Sequence, residues 1–421
     1  MRSQLPRVGI DDLEFLLDAD REGVLHAAAI IVREVAISPD RLVAVFTFAI
    51  ALASPPKGLL VVAALAPLGH ANAIAAAFIA GWVLRGMPDR SGPRVAAPLA
   101  GWLFCALVAG SIVGVDFEPE GFASAVRFLL GFALAAATVR IFRVRPELSI
   151  DLPAALAAGG CGALVFALGR GSALDWRALA AVSGLVACLA VGMSARASGR
   201  ARLVWAAASI ALFAGVALAA VRSPQILSAL SRTRALIAAS VRATASSPWF
   251  GIGIGRDPTT TPLFYPASIA WHGGALGSHN LLAIGVELGL MGLALWTIWI
   301  GAGLLRAARA LTRDARDARL WGAAGGVAFY VAALAVGRPL AFSETAFPFL
   351  IQFGLMTGLA GSTLLDATPA WTRRTRWQVA VTAIAMAAIA AGALISARRG
   401  PPAPTGIAST PAAVAAILRS R

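Results

Sequence analysis

A succession of apolar runs, separated by short polar loops, leaves this chain few ways to fold. The runs fall at 41–54, 58–84, 95–115, 121–142, 152–169, 177–195, 203–221, 279–304, 320–337, 345–364 and 377–396. Most approach the roughly 20 residues that a helix needs to cross about 30 Å of hydrocarbon. Hydrophobic residues make up 58% of the chain and charged residues 14%, and the mean hydropathy is +0.77. That is the balance of a membrane protein rather than a soluble domain. The expected fold is an all-α, polytopic integral membrane bundle of about eleven (10–12) transmembrane helices.

Charge sets the expected topology. The formal excess of +15 is almost all arginine, with Lys57 the one lysine. Such an excess invites a nucleic-acid partner, but most of it lies in five short loops: Arg85 to Arg94, Arg140 to Arg145, Arg196 to Arg202, Arg306 to Arg319 and Arg373 to Arg376. Cytoplasmic loops of membrane proteins carry this bias without any ligand, so no nucleic acid is expected. These loops alternate with poorer ones such as Asp116–Glu120 and Ser54–Lys57. The alternation puts the N-terminus in the cytoplasm.

The chain then divides into a cytoplasmic N-terminal segment (1–40), a first transmembrane bundle (41–221), one long extracytoplasmic loop (222–278), a second bundle (279–396) and a Pro/Ala-rich tail (397–421). Within the first segment, the short apolar stretch Val24–Ile37 carries Arg33 and Glu34 and reads as an interfacial helix rather than a span. No cleavable signal peptide is expected behind Asp11, Asp12, Glu14, Asp18 and Asp20. Cys105, Cys161 and Cys188 all fall in apolar runs, which argues against a disulfide framework or a zinc site. Asp116 and Glu118 lack a second acidic cluster, so no metal is expected either.

The long loop is basic where the general bias predicts otherwise, with Arg222, Arg232, Arg234, Arg242 and Arg256 against Asp257. Leu227, Leu230, Ile237 and Val241 recur at helical spacing, so 225–244 reads as an amphipathic helix on the outer interface. Guanidinium groups there grip phosphate bidentately and keep their charge. A lipid pyrophosphate and ordinary anionic headgroups fit that description equally well. Arg127, about two turns inside the fourth run, is a further cation that either snorkels outward or faces a cavity.

The loop closes on the most specific pattern in the chain. Ser247-Pro-Trp-Phe-Gly-Ile-Gly-Ile-Gly-Arg256 forms a glycine-rich turn, and His279-Asn280 then opens an apolar helix carrying Gly285, Glu287, Gly289 and Gly292. Gly251, Gly253 and Gly255 do not make a dinucleotide loop, since no strand precedes them; a tight turn bringing backbone and Arg256 to a substrate fits better. Gly285, Gly289 and Gly292 share one helix face, a small-residue stripe for close packing. Glu287, about a turn inside the membrane, has to be protonated, paired or in contact with water, and a structural hydrogen bond to a neighbouring helix is its simplest role. His279 sits where its imidazole can titrate near working pH and accept a proton from an attacking hydroxyl. Asn280 is placed to cap the helix or hold the histidine tautomer.

In letters over about residues 232–292 and in hydropathy layout over about 40–365, the chain resembles the O-antigen ligase and O-antigen polymerase superfamily. The resemblance implies a GT-C-like membrane glycosyltransferase in the bacterial inner membrane, its active site facing the periplasm. It implies an undecaprenyl-pyrophosphate-linked glycan as donor and a lipid A core, another glycan or a protein side chain as acceptor. It implies His279 as catalytic base and arginines on the pyrophosphate, with no metal or cofactor. In that superfamily an arginine precedes the Pro-x-x-Gly-x-Gly turn at a spacing that Arg232 and Arg234 bracket before Pro248, and Arg234 fits best. Arg242, Arg256 and Arg127 are the further candidates. The rival from another class is a transporter or flippase, which calls for ionisable groups near the midplane on paired broken helices.

Overall fold

A computed structural model describes residues 39–68, 71–85, 99–113, 119–170, 176–222, 237–257, 261–264, 280–334 and 337–364. The run at 377–396, the tail and segment 1–38 lie outside the described residues. The described chain is helical, with no strand: α1 Pro39–Ala53, α2 Pro55–Leu65, α3 Ala71–Leu84, α4 Leu99–Val113, α5 Pro119–Val144, α6 Leu148–Arg170, α7 Trp176–Arg196, α8 Gly199–Arg222, α9 at 237–246, α10 Asn280–Arg313, α11 Ala318–Ala333 and α12 Ser343–Leu364. Among these, five contain stretches long and apolar enough to cross a membrane: Gly121–Phe142, Leu148–Phe166, Ala178–Arg196, Gly199–Ala217 and Leu281–Arg313. This is an all-α membrane protein.

The run at 58–84 is not one helix. A 3-10 turn at Ala66–Leu68 separates α2 from α3, and Pro67 within that turn has no N–H to continue an α-helical ladder. A side chain on Gly81 of α3 would lie 2.7 Å from the Phe48 carbonyl of α1. Nearby, Arg85 donates from Nη1 to the carbonyls of Leu52, at 2.8 Å, and of Ala53. α1 and α3 therefore run parallel with their C-termini together, and α2 returns between them. The turn at Ser54–Lys57 lies at the same end as Arg85. The expected alternation, which set those two loops on opposite sides, fails at this point.

The remaining helices pack in register over long distances. α5 and α12 run parallel, with Gly131 against Leu350, Gly354 against Ala135 and Thr138, and Gly358 against Phe142. α10 lies parallel to α12, Gly303 meeting Phe353 and Met356, and antiparallel to α4, where Gly101 meets Trp299. α7 and α11 cross closely enough that side chains on Gly192 and Gly322 would strike the opposite backbone. Small residues are what allow such approach where lipid gives no hydrophobic drive to helix pairing. Gln352 bridges three helices, donating to the carbonyls of Leu185 at 3.2 Å and Ala323 at 3.3 Å.

These contacts sort the helix termini into two ends. Arg319 donates to Ser149 at 2.8 Å, so the starts of α6 and α11 share one end with Arg85, Arg145 and Arg196. Ser343 donates to Asn72 at 2.7 Å, which brings the starts of α3 and α12 to the opposite end. The start of α10 joins them there. The first is the basic end, and the second carries the site.

Candidate functional site

The site is built around an interruption in α10. Gly289 has φ +69° and ψ −173°, a backbone conformation outside the helix that lies within reach of glycine alone. The break leaves backbone groups of the neighbouring turns without intrahelical partners. In a membrane such groups must be satisfied by other parts of the protein. The 247–257 turn does this from both sides. Ile252 and Gly253 donate to the carbonyls of Val286 and Glu287 at 2.9 and 3.0 Å. The amides of Leu290 and Met291 donate to the carbonyls of Pro248 and Trp249 at 2.7 and 3.3 Å.

The turn takes this path because glycine permits it. Gly251, Gly253 and Gly255 all have positive φ, at 71°, 105° and 80°. A side chain on Gly251 would run into the Glu287 carbonyl and lie 2.5 Å from the Leu288 nitrogen. The turn is closed internally as well, Ser247 donating from Oγ to the Gly251 carbonyl at 2.6 Å. The small-residue stripe expected on α10 is thus occupied differently along its length. Gly289 takes the turn, Gly285 faces Thr244 of α9, and Gly292 faces Leu107 of α4. The 279–304 run is not the single continuous helix that its hydropathy indicates.

Glu287 is buried, and its carboxylate takes up the amides that the glycine turn offers. The backbone N–H groups of Gly255 and Asp257 point at it, the latter at 3.4 Å. The glycine-rich turn therefore has an internal explanation, since a carboxyl group of the protein itself occupies its amide nest. Asp257 is a junction. Its Oδ1 accepts from Thr261 at 2.6 Å, and its Oδ2 pairs with Arg338 Nη2 at 3.4 Å. Asp257 is fully buried, whereas 27% of the Arg338 side chain is exposed.

Arg338 belongs to the connection between α11 and α12, and the same connection holds Arg127. Arg127 donates from Nη1 to the Leu340 carbonyl at 3.0 Å. It also feels the charges of Glu287, Glu344 and Arg338. A narrow cleft opens beside it between α5, α10 and α12, walled by Phe128, Trp296, Trp299 and Leu350. The result is a cluster in which two buried acids meet two half-buried arginines. Arg127 and Arg338 face Asp257 and Glu287 at the end of an aromatic wall.

Of the residues that sequence reasoning singled out, Arg127, Glu287, Gly251 and Gly253 come together here, and Arg256 joins them by adjacency to Asp257. Arg242 does not. It sits on the exposed side of α9, while Ala239, Ser240 and Ala243 form the buried side. Ile237 and Val241 are exposed, as an apolar face turned to lipid requires. Helix forms at 237–246, and the earlier part of the expected 225–244 helix, with Arg232 and Arg234, lies outside the described residues. So does His279, whose neighbour Asn280 begins α10.

Sequence reasoning missed Arg338 altogether and took Asp257 only as a counter-charge. The signal for Arg338 was its isolation: one arginine at the far end of an apolar run, away from the five basic loops and directly before Pro339. Among the described residues, no group of three or more His, Cys, Asp and Glu forms a metal-binding arrangement. Compared with known proteins, the chain matches no protein-family model and no curated protein.

Proposed function

We propose that this protein is a GT-C-like inner-membrane glycosyltransferase of ten to twelve crossings, transferring a glycan from an undecaprenyl-pyrophosphate donor to an acceptor hydroxyl at the periplasmic face. The acceptor is a lipid A core in the ligase form of the reaction and a further glycan in the polymerase form. In the reaction, the acceptor oxygen forms a bond to the anomeric carbon as the bond from that carbon to the pyrophosphate oxygen breaks. The acceptor proton passes to the imidazole of His279, and undecaprenyl pyrophosphate leaves with both electrons of the broken bond. Arginines offset the charge that develops on the leaving group, and the step calls on no metal or cofactor. Arg232, Arg234, Arg256 and Arg127 are the candidates for that contact.

One observation carries the reading. The two halves of the resemblance, the glycine turn and the helix opened by His279-Asn280, are far apart in sequence yet joined by four backbone hydrogen bonds. The start of α10 at Asn280 lies at the same end of the bundle as Arg127 and Arg338, which supports the reading. A carrier draws support from a different observation, the interruption of α10, because transporters bind substrates at broken helices. Carriers of that design pair two such breaks, and among the described helices α10 alone has non-helical backbone inside it.

The test is His279→Ala in a strain that makes the lipid-linked donor. Loss of a general base costs ~10²–10⁴-fold in rate, so surface glycan should vanish and donor should accumulate while the protein level in the membrane holds. Near-normal surface glycan in a well-expressed His279→Ala strain rules the reaction out and favours the carrier.

A further inference from the structure

Arg338 is assigned no role by the sequence pattern, yet its environment is that of a binding group. We infer that Arg338 is the second cation of an anion site shared with Arg127, and that Asp257 is its resident counter-ion, displaced when a phosphate or diphosphate ester binds. The inference rests on the reading of this end of the bundle as a site for a lipid-linked pyrophosphate.

Three features of the geometry support it. First, the Nε atoms of Arg127 and Arg338 are both buried without a hydrogen-bond partner among the described residues. A buried donor left unmade is costly, and charged donors most of all. Two such donors on neighbouring guanidinium groups that repel each other are what a shared anion would satisfy. Second, the contact of Arg338 with Asp257 is a single long one, Nη2 to Oδ2 at 3.4 Å, rather than a two-pronged grip. A guanidinium held by one prong keeps its other donors for a planar or tetrahedral oxyanion. Third, Asp257 keeps its other anchors without Arg338. Thr261 still donates to Oδ1, and the Asp257 amide still faces Glu287. The exchange of one anion for another at Arg338 therefore leaves the turn in place.

A purely structural salt bridge is the competing account, and the two differ in the effect of removing the acid. If the pair only holds the fold, Arg338→Gln and Asp257→Asn damage the same property in the same direction. If Asp257 competes with a ligand, removing its charge frees Arg338 and tightens binding even as the empty protein becomes less stable.

The measurement uses the full chain in nanodiscs of neutral phosphatidylcholine, with binding of farnesyl diphosphate read by tryptophan fluorescence. Inorganic pyrophosphate, farnesyl monophosphate and discs containing phosphatidylglycerol serve as parallel arms, separating a diphosphate ester from free anion or headgroup. Wild type should bind farnesyl diphosphate most tightly of these, and Arg338→Gln should weaken it about 10–100-fold. Arg338→Lys should fall between the two, since an ammonium keeps the charge but not the fork. Asp257→Asn should bind several-fold more tightly than wild type. Unchanged binding in Arg338→Gln and Arg338→Lys overturns the inference while leaving the glycosyltransferase reading intact, as does equal loss in Arg338→Gln and Asp257→Asn. Stronger retention of phosphatidylglycerol than of farnesyl diphosphate makes the site a headgroup site and overturns it too. Absence of any prenyl diphosphate binding in wild type removes both the inference and the reading beneath it.

Discussion

Gly289→Ala tests whether the break in α10 is held by the turn that fills it. Alanine at φ +69°, ψ −173° enters a region open to glycine alone, at about 1–3 kcal/mol. The new Cβ would overlap the Trp249 carbonyl and come within 2.6 Å of the Phe250 nitrogen. Both are backbone atoms, so the clash is relieved by withdrawing the turn. Withdrawal gives up the bonds from Leu290 and Met291 to Pro248 and Trp249, at about 1 kcal/mol each. Together these predict destabilisation of about 3–5 kcal/mol.

Straightening the helix offers no escape from this cost. The amides of 290 and 291 would then reclaim the carbonyls of Val286 and Glu287, which at present accept from Ile252 and Gly253. Gly301→Ala is the matched control, since no heavy atom lies within 4 Å of its Cβ position. There the better helix former should stabilise by up to about 1 kcal/mol. Thermal unfolding of the purified protein in detergent, followed by tryptophan fluorescence, reads both variants. The expected shifts have opposite signs. A Gly289→Ala protein that melts at or above the wild-type temperature refutes the reasoning and makes the break incidental.

Two further outcomes follow from the packing. In a variant lacking the native cysteines, Ser246→Cys should react with an impermeant thiol reagent in intact spheroplasts, and Lys57→Cys only after the membrane is opened; labelling of Lys57→Cys from outside would contradict its placement at the Arg85 end. Gln352→Leu should lower thermal stability by about 1–2 kcal/mol through loss of its two interhelical bonds while transfer activity persists, and an unchanged melting temperature would show those bonds to be idle.

Hydropathy alone placed much of the bundle. The runs at 121–142, 152–169, 177–195 and 203–221 lie within α5, α6, α7 and α8, because a long apolar stretch in lipid has to close its hydrogen bonds locally as helix. It failed at 58–84, where the average hides Pro67; at 279–304 it marked the span, which runs on to Arg313, but not the break, because the same three glycines serve equally as a packing stripe and as a break. Nothing in a single sequence separates those two uses of Gly289, since the deciding partner is the Trp249 carbonyl, reached only through the fold. The candidate site was legible to the same degree. Arg127, Glu287 and the glycine turn stood out as polar or flexible residues in apolar surroundings. The pairing of Asp257 with Arg338 did not, because it joins two loops with no shared pattern.

The parallel run of α1 and α3 carries a parity rule for the described helices. Because Ala53 ends beside Arg85, Pro39 begins at the end that carries the site, and α2 starts from the basic end. Three passes therefore stand where hydropathy marks two, at 41–54 and 58–84. The extra pass is absorbed at Pro39 and not handed on, which is why the basic loops that follow α3 still share one end.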